Sequence, residues 1–103
     1  MFDVRFLPNP FYVPELKALT GRDQAIVEYV GNDGRLEQLY DHLMALLDFL
    51  LPQYVAEGKS HLTIAIGCTG GHHRSVTVAE GLSRRYADGE GLVVDVVHRD
   101  IDL

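Results

Sequence analysis

A chain of 103 residues has room for one domain and one core. Its 47% hydrophobic and 23% charged residues exclude the disordered and collagen-like classes. A net charge of −6 leaves it without the overall basic footprint of a nucleic-acid binder. The single cysteine, Cys68, excludes an internal disulfide and fits a reducing compartment. Met1-Phe2-Asp3-Val4-Arg5 lacks the basic-then-apolar layout of a signal peptide, and no apolar run approaches the roughly 18 residues of a membrane span. A cytoplasmic protein with no membrane partner is expected.

Phe2, Val4 and Phe6 alternate with Asp3, Arg5 and Leu7, which predicts a first strand stopped by Pro8-Asn9-Pro10. Pro14 to Leu19 reads as a short helix closed near Thr20-Gly21. A second helix is expected from Asp23, its N-cap, to Val30, before the Gly31-Asn32-Asp33-Gly34 turn. Leu36, Leu39, Tyr40, Leu43, Leu46, Leu47, Leu50 and Leu51 recur at spacings of three and four, which predicts a long amphipathic helix that Pro52 ends or kinks.

Leu62 to Ile66 is short, apolar and β-branched, so a strand covered on both faces is expected there. A glycine-rich loop follows, and Val76, Ala79 and Leu82 form the apolar stripe of a helix ending near Tyr86. Asp88-Gly89-Glu90-Gly91 is a turn into a last strand, Leu92 to Val97. The order is strand, helices, strand, helix, strand. That order predicts a small α/β domain of two or three layers, with a short, mainly parallel sheet of about three strands and right-handed crossovers. So narrow a sheet leaves apolar faces that few helices can cover, so a homo-oligomer is expected.

In a parallel sheet, ligands bind in the crevice outside the carboxyl ends of the strands. The three expected exits carry the unusual chemistry of the chain: Asn9 on the first, Cys68 to Ser75 on the second, His98 and Arg99 on the third. On the second exit, Gly70 and Gly71 let a backbone approach a ligand. The helix that starts near His73 aims unsatisfied N–H groups at the same point. Thr69 and Ser75 add hydroxyls, His72 and His73 add imidazoles, and Arg74 offers a planar fork suited to phosphate. The pattern predicts a site for a phosphate-bearing small molecule, with no cofactor and no metal. Adjacent His72 and His73 cannot both face one ion from a regular helix.

Cys68 and Arg74 also form a C-x5-R pattern followed by Ser75. That pattern resembles the phosphate loop of cysteine-dependent phosphatases, where a thiolate attacks phosphorus and the arginine holds the oxyanions. Gly67 stands where that family has histidine, and no loop presents a general-acid aspartate. Cys68 is therefore a candidate nucleophile, but the chain reads as a binding module rather than an enzyme.

Val4-Arg5-Phe6-Leu7-Pro8-Asn9-Pro10, Leu19-Thr20-Gly21, Leu62 to Gly71, His73-Arg74-Ser75-Val76 and His98-Arg99 together resemble the C-terminal domain of the RapZ family. These are bacterial proteins known as RNase adapters or nucleotide-binding proteins. The resemblance covers nearly the whole chain, and it implies a single domain over residues 1–103. In the family this domain is joined to an N-terminal nucleotide-binding domain, so a partner protein carrying such a domain is implied. The resemblance further implies binding of small regulatory RNA, sensing of an amino-sugar phosphate, and a pocket lined by Cys68, Thr69, Gly70, Gly71, His73 and Arg74. The chain departs from the family in three places. It has no G-x-x-x-x-G-K-[ST] loop, so a stand-alone domain without an N-terminal P-loop NTPase is expected. It ends in Asp100-Ile101-Asp102-Leu103 rather than in a lysine- and arginine-rich tail, and with the −6 charge this argues against RNA as the ligand. Phe11 stands where some members have histidine. The favoured expectation is a ligand-sensing or regulatory adapter module for a phosphorylated metabolite such as a sugar phosphate. An RNA-binding adapter and a phosphatase-like enzyme are the alternatives.

Overall fold

The computed structural model describes residues 1–59, 61–87 and 92–101. Strand β1 (Phe2–Asp3) pairs in parallel with β2 (Ile66–Gly67), with Phe2 opposite Ile66 and Asp3 opposite Gly67. Helices α1 (Gln24–Val30) and α2 (Arg35–Glu57) lie between the strands in sequence, and α3 (Arg74–Tyr86) follows β2. The mixed α/β class and the parallel pairing agree with expectation, while the paired sheet has two strands.

The first strand is shorter than its alternation predicts, and its period of two breaks down after Val4. Val4 and Leu7 are 0% and 2% exposed, whereas Phe2 and Phe6 are 36% and 45% exposed. The cause is local: the Asp3 carboxylate accepts the Arg5 N–H at 3.0 Å, and the Leu7 N–H turns back to the Val4 carbonyl at 3.1 Å. Phe2 and Val4 donate to the β2 side, so the Arg5 N–H points away from the ladder, and the side-chain turn that Asp3 forms with it curls the chain off the sheet. The helix expected over Pro14 to Leu19 is a run of turns instead. A 3₁₀ turn, Pro10–Tyr12, precedes it, and its first free N–H, from Phe11, is taken by the Asn9 side chain at 3.1 Å.

Helix α1 follows Asp23 and ends at Gly31, as expected. The Asp23 carboxylate reaches back to the Thr20 N–H at 2.8 Å and makes no forward cap. Helix α2 does not stop at Pro52 but runs on to Glu57, and Gly58, with φ of +88°, terminates it. Proline keeps a helical φ and loses one backbone hydrogen bond, and here both Pro52 and Asp48, whose carbonyl is freed, are exposed to solvent. Leu36, Tyr40, Leu43 and Leu47 are the buried residues of α2. With Val4, Leu7, Ile26, Val30, Val78 and Leu82, three of these four (Leu36, Tyr40 and Leu47) form the core cluster.

The strand expected over Leu62 to Ile66 pairs only at its end. Leu62 is 42% exposed, because β1 supplies two ladder residues and no more. Leu92 to Val97 is not a strand, and Val93 and Val97 stand 93% and 88% exposed. The turn predicted before it, residues 88–91, lies outside the described residues. No helix among the described residues is long and apolar enough to cross a membrane.

Candidate functional site

The loop between β2 and α3 is closed by one pair of residues. The Cys68 thiol donates to Ser75 Oγ at 3.2 Å, and the Ser75 N–H donates to Cys68 Sγ at 3.3 Å. Between them, Gly70 and Gly71 take φ of +80° and +71°, the left-handed region that favours glycine. Thr69 and Gly70 face solvent, while Gly71 packs against Asp100. The carboxyl end of β2 therefore meets the amino end of α3 with exposed backbone at the junction. Free N–H groups at a helix start suit an anion.

Arg74, the first residue of α3, is 5% exposed. Its Nη1 donates to the carbonyl of Arg5 at 2.5 Å and of Leu7 at 3.4 Å. No carboxylate pairs with it among the described residues. His73 is 6% exposed, and its Nε2 donates to the Lys17 carbonyl at 3.2 Å. His72 accepts the Gly21 N–H at 2.8 Å through its carbonyl, and its own Nε2 is buried without a partner among the described residues. The histidines thus clamp the loop onto the 17–21 segment.

The third expected exit meets the loop through Asp100 and not through His98. His98 lies along α3, its Nε2 donating to the Glu80 carboxylate at 2.8 Å, and Glu80 also accepts from Arg22 at 3.1 Å. The His98 hydrogen bond, followed by that from Arg22, holds the Glu80 carboxyl below its ordinary range. The Arg99 side chain is 91% exposed and reaches back to Asp100. The residue of this segment that reaches the loop is Asp100, against Gly71. Asn9 is spent on the Phe11 N–H. The structure therefore brings Cys68, Thr69, Gly70, Gly71, Arg74 and Ser75 together, keeps Arg99 at the edge of the loop through its pairing with Asp100, and engages Asn9 with Phe11 and His98 with Glu80.

Two residues that the sequence reading passed over stand beside the loop. A solvent-open pocket of about 260 Å³ is lined by Met1, Asp3, Arg5, Gly67, Cys68 and Thr69. Arg5 grips Asp3 through Nε at 3.0 and 2.9 Å and Nη2 at 2.6 Å. Those hydrogen bonds hold the Asp3 carboxyl below its ordinary range, and the Arg74 charge adds to the effect. Asp-x-Arg at the end of a first strand was the available signal. Among the described residues, no group of three or more His, Cys, Asp or Glu is placed to hold a metal ion.

The arrangement has known relatives. A nucleotide-binding protein of Limosilactobacillus reuteri is 56% identical over 102 residues, which are 99% of this chain and 35% of the relative. One from Symbiobacterium thermophilum is 58% identical over 101 residues, 98% of this chain and 33% of the relative. One from Paramagnetospirillum magneticum is 53% identical over 102 residues, 99% and 33% respectively. The chain spans about a third of the length of these curated relatives. The family model described as the RapZ C-terminal domain matches residues 1–102, strands, loop and all three helices included, and the chain belongs to that family.

Proposed function

We propose that the chain is a ligand-sensing or regulatory adapter module that binds a phosphorylated metabolite, with a sugar phosphate as the representative class, in the loop from Cys68 to Ser75. Arg74 is the observation that carries this reading. A guanidinium that is 5% exposed and meets two carbonyls is a buried charge with no carboxylate in direct contact among the described residues. Buried charges are costly unless paired, and an anion at the adjacent helix start supplies the missing partner. The relatives are named nucleotide-binding proteins, which supports a phosphate-bearing ligand and a nucleotide-binding partner domain beside this module. Calorimetry of the chain with inorganic phosphate, glucose 6-phosphate and a nucleoside monophosphate tests the reading. Arg74→Lys keeps the charge and loses the fork, and it is expected to weaken binding by about 1.5–3 kcal/mol. An unchanged affinity in a folded Arg74→Lys variant overturns the site.

The Cys68–Ser75 contact favours one second reading, since a thiol held by a helix-start N–H resembles the nucleophile of a phosphatase loop. In the favoured reading Cys68 closes the loop and does not react, so aryl phosphates are not turned over. Phosphatase activity that disappears in a folded Cys68→Ser variant promotes the enzyme reading instead.

A further inference from the structure

We infer that Arg5 is a second anion-contacting guanidinium of the proposed site, and that the Asp3 carboxylate is the internal counter-ion an incoming phosphate group displaces. The inference rests on the loop reading above and adds the residues on the β1 side. Of the side chains lining the pocket beside Cys68 and Thr69, Arg5 alone is cationic. Its backbone is held from two directions. The Arg5 carbonyl accepts from Arg74 Nη1, and the Arg5 N–H donates to Asp3 Oδ1 at 3.0 Å. The side chain beyond that anchored backbone is 63% exposed, and its Nη1 has no hydrogen-bond partner among the described residues. It is therefore a tethered cation with a free edge, facing the pocket rather than the core.

Asp3 already shows how the site treats an anion. Arg5 grips it through two nitrogens, and the buried Arg74 charge acts on it as well, so both guanidiniums bear on one position. The Arg fork fits carboxylate and phosphate alike, and a phosphate group brings more charge and one more acceptor oxygen than Asp3 does. An exposed carboxylate–guanidinium pair contributes little in water, so exchanging its partner is cheap. Arg74 then acts twice, as the buried charge behind the site and as the positioning residue for Arg5.

Calorimetry of the full chain with inorganic phosphate and with glucose 6-phosphate tests this, with melting curves to show that each variant is folded. Arg5→Ala is expected to lose about tenfold or more in affinity, with a wild-type melting curve because the side chain is exposed. Arg5→Lys, which keeps the charge without the fork, falls between the two. Asp3→Asn removes the competing carboxylate and binds about two- to fivefold more tightly. Wild-type affinity in Arg5→Ala, together with lost affinity in Arg74→Lys, overturns this inference and leaves the loop reading standing. Weaker binding in Asp3→Asn overturns the displacement. A wild-type chain that binds neither probe overturns both.

Discussion

Tyr40 lies across α3 at the one position where that helix has no side chain, Gly81. A Cβ added at Gly81 would overlap the Tyr40 hydroxyl and come within 2.7 Å of Cζ. The hydroxyl donates to the carbonyls of Thr77 at 3.1 Å and Val78 at 3.4 Å, and the Arg85 guanidinium covers the ring at 3.8 Å. This contact ties the long helix α2 to the helix that starts at the candidate site. Gly81→Ala is a helix-favouring change on propensity alone, but overpacking here is expected to cost about 1–3 kcal/mol. Tyr40→Phe is expected to cost about 1 kcal/mol through its lost hydrogen bonds. Urea unfolding of both single variants and the double variant checks the pair. The double variant should lose less than the sum, because the hydroxyl that the added methyl group strikes is gone.

Gly70 and Gly71 are expected to respond differently to the same substitution. Both have positive φ, so alanine costs about 1–2 kcal/mol of backbone strain at either. At Gly70 a Cβ meets nothing within 4 Å, whereas at Gly71 it comes within 3.0 Å of the Asp100 Cβ. Chemical denaturation should therefore rank Gly71→Ala as the more destabilised. Adding Asp100→Gly should remove the difference, since it takes away the atom that is struck.

The Glu80–His98 contact predicts part of the acid limb of stability. Glu80 titrates below its ordinary 4.5 in the folded chain, chiefly because His98 donates to it and next because Arg22 does. In acid the unfolded state then binds the proton more readily than the native state. The contribution is whole above about pH 4.5 and is lost as the pH falls through the lower folded value. Melting temperatures taken from pH 7 to pH 3 should fall less steeply for Glu80→Gln than for the wild type, from a lower starting point at pH 7. Parallel curves would remove Glu80 from the account.

The sequence by itself determined what lies within reach of a turn or two. The leucine spacing marked α2, Asp23 and Gly31 bounded α1, and the two glycines before His72 marked the strand-to-helix loop with α3 beginning at Arg74. These signals are local: a periodic stripe, a cap, a residue that tolerates positive φ. Tertiary structure decided the rest, because the partner of a side chain depends on which distant backbone arrives beside it. Arg74 read as a free phosphate fork, yet its Nη1 is engaged by the Arg5 carbonyl, 69 residues away, and His73 is engaged by Lys17, 56 residues away. His98 read as part of the site but pairs with Glu80 on α3. The first strand ends where the Asp3 carboxylate accepts the Arg5 N–H and the Leu7 N–H returns to the Val4 carbonyl. Alternation states that a strand can form, and only the backbone that arrives beside it decides how far it runs.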